Sequence, residues 1–195
     1  MKITTLTAGL IKTNCYLVQE GNTAILVDAE VGLERVLQHT NKLDAILLTH
    51  GHFDHIKNLA IIAQHFKCPV YLHQNAIEKL SDPFKNCSKR FKGCVTVDSL
   101  NLDLRTLQDR QILNMGDLKG IEVFYTPGHT VCSVSFKIGE NLFSGDTLFV
   151  GAVGRTDLWD SSADDMKKSL KTLENLDWNN LYPGHGSTME NIKNF

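Results

Sequence analysis

Residues 49–58 read THGHFDHIKN, which places His50, His52, Asp54 and His55 within six positions. A preset HxHxDH pattern turns up in roughly one random chain of this size in a thousand. A core would have to give each of three buried imidazoles its own hydrogen-bond partner. Imidazole and carboxylate are, by contrast, ordinary ligands of zinc and its neighbours, so the cluster reads as a metal site. Three other stretches carry the same residue types beside glycine or proline: His129 in TPGHT, Asp146 in SGDT and His185 in YPGHG. Glycine lets the backbone turn sharply and sets a side chain at the rim of a sheet. Five histidines and two aspartates are the inventory of a two-metal site. We assign His50, His52 and His129 to one ion, Asp54, His55 and His185 to the other, and Asp146 to the bridge. Two divalent ions bring four positive charges. Two aspartates and one shared hydroxide leave one, which suits stabilisation of an oxyanion.

The elements around these residues must deliver them to one place. LDAILLTH is a short continuous apolar run, as in a strand covered on both faces, and the first cluster sits where it ends. His50 and His52, two apart, project from one side there, and Asp54 and His55 follow after the turn. NCYLVQEGNTAILVDAE reads as a hairpin around Glu20, Gly21 and Asn22, and GLERVLQHTN as a helix with Leu33, Val36 and Leu37 inward. IKNLAIIAQHF predicts a helix with Ile56, Leu59, Ala60, Ala63 and Phe66 on one face, stopped by Cys68 and Pro69 before the strand VYLH. Residues 74–101 are the least regular: a short helix, then a loop carrying Lys85, Lys89, Arg90 and Lys92. IEVFYTPGHT, SVSFKIGENLFSGDTLF and LYPGHG each read as strand followed by turn. SSADDMKKSLKTLENL is a helix capped by Ser161 or Ser162, with Ala163, Met166, Leu170 and Leu173 as its apolar face.

The remaining candidates get plainer readings. His39, His65 and His73 stand alone and are read as structural, Cys132 as a small buried hydrophobe, and the basic run at 85–92 as a solvated loop rather than an anion clamp. The chain has 195 residues, 42% hydrophobic and 22% charged, which suits one globular domain spanning 1–195. A net charge of −2 gives no reason to expect nucleic acid or an anionic membrane as partner. No signal peptide is read at the start, and no apolar stretch approaches the roughly 18 residues of a membrane span. Five cysteines without a CxxC pair fit free thiols in a reducing cytoplasm. Oligomeric state leaves no mark in the sequence.

THGHFDH, TPGHT, SGDT and YPGHG, in that order, resemble the metallo-β-lactamase superfamily over nearly the whole chain. The resemblance implies an α/β fold, an αββα four-layer sandwich of two mixed β-sheets flanked by helices, with metals at one edge. Asp28 in LVDAE matches the early aspartate that supports the metal site, although the family usually has Gly two positions later, where this chain has Glu30. TNCYLV and GDTLFVGAVGRTDL resemble the short, single-domain glyoxalase II-like hydrolases. True glyoxalase II carries a further C-terminal helical region that holds glutathione, and this chain ends ten residues after His185. An exported zinc β-lactamase fits less well, because many place Cys where this chain has Asp146. The implied activity is hydrolysis of a small-molecule thioester, such as a hydroxyacylglutathione. A hydroxide shared by two divalent ions, zinc before iron or manganese, attacks the carbonyl, with Asp54 and Asp146 as catalytic residues. Arg155 is read as a substrate contact or as the partner of Asp157; Tyr182 and Lys89 are weaker candidates. Two alternatives stand beside this reading. GRTD also resembles the iron-dependent persulfide dioxygenases, and a non-catalytic metal-stabilised binding module would use the same residue types.

Overall fold

In LVDAE and the strands before it, apolar residues occupy successive positions, so side chains on both faces of a sheet need cover. The computed structural model describes residues 1–91 and 94–191 and shows where that cover comes from. β1 (Lys2–Ala8), β2 (Thr13–Glu20) and β3 (Thr23–Val27) form an antiparallel meander. β4 (Ala45–Leu47), β5 (Val70–His73) and β6 (Leu104–Leu107) add in parallel, giving a six-stranded mixed sheet in sequence order. The second sheet contains β7 (Ile112–Met115), β8 (Leu118–Tyr125), β9 (Val134–Ile138), β10 (Asn141–Gly145) and β13 (Asn180–Pro183), in the order β13-β10-β9-β8-β7. It is antiparallel except for the β10–β13 pair. β11 (Leu148–Phe149) and β12 (Ala152–Val153) form a small ribbon between β10 and β13 in the chain.

The period-2 alternation of strand side chains sorts the core into layers. Leu17 and Leu26 face one way and pack with Val36 of α1 (Leu33–Leu37), Ile56 of α2 (Phe53–Ile56), Ile62 of α3 (Leu59–Phe66) and Leu80 of α4 (Ile77–Ser81). Their neighbours Tyr16, Val18, Ile25 and Val27 face the other way, against Ile121, Val123, Phe136 and Phe143 of the second sheet. Leu142 points outward from that sheet onto Leu173 of α5 (Ala163–Glu174). Helices, sheet, sheet and helix therefore stack as four layers, the αββα sandwich of two mixed sheets.

Local details depart from the periodicity in instructive ways. The helical pattern of residues 56–66 is two helices, α2 and α3, because the cluster residues occupy a separate short turn before Asn58. Ile56, Leu59 and Ala63 are buried as expected and Ala60 and Phe66 pack partly against the core, while Ile62, outside the expected face, is buried as well and widens it. Leu37 and Ala163 are exposed, so each helix buries a narrower stripe than the sequence suggests. Ser162, not Ser161, caps α5: its Oγ accepts the Asp165 N–H at 3.2 Å. The strands β6 and β7 carry no clear apolar alternation and are visible only through their pairing. Lys92 lies outside the described residues. Among the described residues no helix is long and apolar enough to cross a membrane.

Candidate metal centre

β8 and β10 both run antiparallel to β9, and β13 runs parallel to β10, so the three strands point the same way. The loops that follow them carry His129, Asp146 and His185 to one edge. His50, His52, Asp54 and His55 follow the end of β4 and Asp28 the end of the parallel β3. The two sheets are sewn together at this edge. Asn14 donates its backbone N–H to Gly184 O at 2.7 Å and its side-chain amide to Gly186 O at 2.9 Å, while Tyr16 Oη donates to Pro183 O at 2.5 Å. These bonds hold the turn that presents His185.

Ligating atoms of His50, His52 and His129 lie within 4.8 Å of one another, as do those of Asp54, His55 and His185, and those of His50, His55 and Asp146. Asp146 sits between the two histidine groups: its Oδ2 is 3.4 Å from His129 Nε2 and 3.5 Å from His185 Nε2. The seven residues assigned from the sequence are thus brought together. His39 and His65 are exposed on the helical side, and His73 stacks on Tyr125 with ring centroids 4.6 Å apart; none joins the clusters.

The partners of the outward ring nitrogens fix what faces inward. His55 Nδ1 donates to Asp28 Oδ2 at 2.7 Å, His129 Nδ1 to Arg155 O at 2.9 Å and His185 Nδ1 to Ile11 O at 3.1 Å. Thr49 Oγ1 spends its proton on Asp28 Oδ2 at 2.8 Å and so accepts from His50 Nδ1 at 3.1 Å. His52 is turned over: its Nδ1 lies 3.1 Å from His50 Nε2 and 3.0 Å from His129 Nε2, and its Nε2 lies 3.5 Å from Cys87 Sγ. In the neutral rings every inward nitrogen is then a lone pair, which is how second-layer partners set up metal-binding histidines.

The electrostatics describe the same imbalance. Burial and the neighbouring imidazoles push His50 and His52 well below the usual range. Burial works against charge on His55 too, but Asp28, Asp54 and Asp146 override it and hold His55 well above its ordinary value. His185 is likewise raised to about 10, by Asp146 and Asp54 against its own burial. Asp54, despite burial, is held at about 2 by His55, His185 and Thr13, and Asp146 also lies well below the usual carboxylate range through His55 and His185. Protons on two imidazoles stand in for cations among three buried carboxylates. They do so poorly: His55 Nε2 and Asp146 Oδ1 face each other at 3.5 Å, buried and without hydrogen-bond partners. A cation between them would satisfy both, so the donor set fits divalent ions.

Asp28 is the keystone of the supporting layer. Its backbone is left-handed at φ 60°, and its carboxylate also accepts the Thr49 N–H at 2.8 Å. Glu30 does not compete for this place. It is buried beside Gly9, 3.7 Å from Lys57 Nζ, with its carboxyl raised to about 7 by burial. Gly184 has a clear reason as well: a Cβ there would collide with Asp146 Oδ1 and come within 2.9 Å of His55 Cε1.

A pocket of about 380 Å³ opens from His52, Asp54, His129, Asp146 and His185. Arg155 lines it, but its guanidinium is gripped by Asp157 through bonds of 2.6 and 2.8 Å. Tyr182 is not at the pocket; it is buried between the sheets, stacked on Phe143, with its hydroxyl on Glu190. Lys89 lines a neighbouring cleft rather than the pocket. Cys132 is fully buried, its thiol raised by burial. Three contributors escaped the sequence reading: Thr13, whose Oγ1 donates to Asp54 Oδ2 at 2.7 Å, the carbonyl of Ile11, and Cys87; Arg90, read with its neighbours as a solvated loop, lines the pocket. None carries a motif; the TN of TNCYLV was the nearest signal.

The family model of the metallo-beta-lactamase superfamily matches residues 8–185, and the chain belongs to that superfamily. Probable metallo-hydrolase YqgX of Bacillus subtilis is 33% identical, over 95% of this chain and 90% of its own length. The hydroxyacylglutathione hydrolase of Tolumonas auensis is 32% identical over 91% of this chain, which spans 62% of that longer protein. Among solved structures, the BLEG-1 B3 metallo-beta-lactamase superposes with a TM-score of 0.88 at 31% identity, covering 97% of this chain and 94% of that one. TTHA1623 in a di-iron-bound form superposes at 0.82, also with 31% identity, covering 96% and 94%.

Proposed function

We propose that this protein is a metal-dependent hydrolase of the glyoxalase II-like, hydroxyacylglutathione hydrolase type, cleaving a small-molecule thioester. The observation that carries the two-ion reading is the position of Asp146 Oδ2, 3.4 and 3.5 Å from one histidine of each group. His50, His52 and His129 would hold one ion, Asp54, His55 and His185 the other, and Asp146 would bridge them. Divalent ions held there supply Lewis acidity, which acidifies water and polarises a carbonyl. Zinc is our first assignment; the di-iron form of TTHA1623 supports iron as an ion that such a site accepts, and manganese suits the same donors.

The chain's own residues do the rest. Thr13 pins Asp54 through Oδ2, leaving the carboxylate fixed at the pocket floor to orient the attacking water. Ile11 and Phe149 wall the pocket beside His185 and limit bulk water there. A thiolate is a weak enough base to leave without a general acid. The relative in Tolumonas auensis supports the thioester class, and five free thiols support a reducing, cytoplasmic setting.

The test pairs elemental analysis with a thioester panel that includes S-lactoylglutathione. Two ions per chain and thiol release are expected. One iron per chain with oxygen uptake on glutathione persulfide would replace this reading with the dioxygenase. Bound metal with turnover of neither substrate would leave a metal-stabilised binding module.

A further inference from the structure

Granting the thioesterase reading, we infer that Arg90 anchors an anionic group on the leaving thiol, and that the cleft beyond Arg90 receives the remainder of that thiol. The pocket walls differ on the two sides of the ligand cluster. Beside His185 stand Ile11 and Phe149, both apolar. Beside His52 stand Cys87, 3.5 Å away, the Phe53 and Phe91 rings, 4.9 Å apart, and Arg90, three residues after Cys87 in the same short turn; this side is set apart by its charge. An acyl group laid against the first wall directs the sulfur and its substituent toward the second. The reverse pose would press an anion against Ile11 and Phe149, where nothing replaces its water.

Of the two arginines that line the pocket, Arg90 is the one not bonded to a carboxylate. Arg155 is held in a two-pronged pair with Asp157. Lys85 is paired with Glu78 at 2.6 Å, and Lys79 is buried against Asp160 at 2.5 Å. The Arg90 guanidinium has no hydrogen bond or ion pair among the described residues. Its platform is nonetheless fixed. Fully buried Asn86 donates to Lys79 O at 3.0 Å and to Val95 O at 2.9 Å, and accepts the Ser88 N–H at 3.0 Å. A charged fork on a pinned turn is preorganised for a carboxylate or phosphate.

Arg90 also lines a second cavity, of about 290 Å³, together with Phe84, Lys89 and Trp159. The Phe84 and Trp159 rings stand 6.1 Å apart and tilted by 38°. Arg90 is thus shared between the reaction pocket and a neighbouring cleft with aromatic surface and a second ammonium. That combination suits a thiol longer than a few atoms and charged along its length. Carboxylates of a glutathione-like peptide and phosphates of a nucleotide thiol share this chemistry.

The experiment uses the full-length, metal-loaded protein and three thioesters of one acyl group: with glutathione, with coenzyme A and with the neutral thiol N-acetylcysteamine. R90A should lower the kcat/KM ratio of an anionic over the neutral thioester about tenfold, through KM, and R90K, which keeps the charge but not the fork, should recover only part of it. A loss confined to the glutathione ester identifies a carboxylate; a loss on the coenzyme A ester that W159A deepens identifies a phosphate-bearing thiol. A ratio that R90A leaves unchanged overturns the inference. Calorimetry with the matching thioethers, which cannot be hydrolysed, separates the two claims. Absence of thioester turnover sinks the thioesterase reading alone, while R90A binding anionic and neutral thioethers in the wild-type ratio sinks the role of Arg90.

Discussion

Replacing Asp28 by Asn should uncouple the metal centre from its support with little damage to the fold. Asn tolerates the left-handed backbone at φ 60°, whereas Ala would add strain. The amide is the same size and can still accept the Thr49 N–H, now 2.8 Å from Oδ1. Its NH₂ would then stand where Oδ2 accepts both His55 Nδ1 at 2.7 Å and Thr49 Oγ1 at 2.8 Å. Donor would face donor at His55. The imidazole escapes only by moving its proton to Nε2, which blocks the lone pair aimed at Asp54 and Asp146. The Thr49 hydroxyl is freed to donate to His50 Nδ1, 3.1 Å away, which drives His50 toward the wrong tautomer as well. Loss of such a partner costs about 10–100-fold in metal affinity, or about 1.4–2.7 kcal/mol. One hydrogen bond to a charged group, about 1.5–3 kcal/mol, gives the same size. Competition titrations of metal-free protein against a chromophoric chelator measure both ions. Asp28→Asn should weaken both, the His55 ion more, and leave the far-UV circular dichroism intact. Wild-type affinity for both ions would refute the tautomer argument.

Three other outcomes follow from the same geometry. Gly184→Ala should lose metal, since its methyl would meet Asp146, His55 and the Gly145 backbone; elemental analysis after dialysis reads this directly. Lys79→Ala strands Asp160, whose side chain is buried and whose Oδ1 already lacks a partner. It should cost about 3–5 kcal/mol, lowering the melting temperature by about 6–20 °C, and Lys79→Met with Asp160→Leu should recover much of that. At pH 7 the metal-free centre keeps protons on His55, held well above its ordinary value, and on His185, raised to about 10. Divalent ions must displace them, so affinity rises with pH while both stay protonated in the free form, and uptake releases about two protons, read from the buffer dependence of the calorimetric heat.

Chemistry was the most legible layer of this sequence. His50, His52, Asp54 and His55 announce themselves because ligand spacing is local, and His129, Asp146 and His185 because each needs a glycine-flanked turn after a strand. The αββα order was legible through the resemblance, and the buried strands through their unbroken apolar runs. β6 and β7 were not, because each is only four residues long and its buried and exposed positions do not alternate cleanly, Ile112 being an exposed apolar residue. Ser162 could not be told from Ser161 as a cap, since the choice depends on Ser161 Oγ reaching His129 O at 2.7 Å.

The sequence by itself determined which donors this protein owns and which strands present them. Only the tertiary structure decided which ring nitrogen faces inward and which pocket arginine is not bonded to a carboxylate. Those outcomes depend on partners far away in the chain: Thr13 with Asp54, Ile11 with His185, Asn14 with Pro183. A tautomer is set by the acceptor opposite its N–H, and an arginine is available only if no carboxylate has reached it first. Neither condition is written in any single segment; both arise when two sheets close on each other.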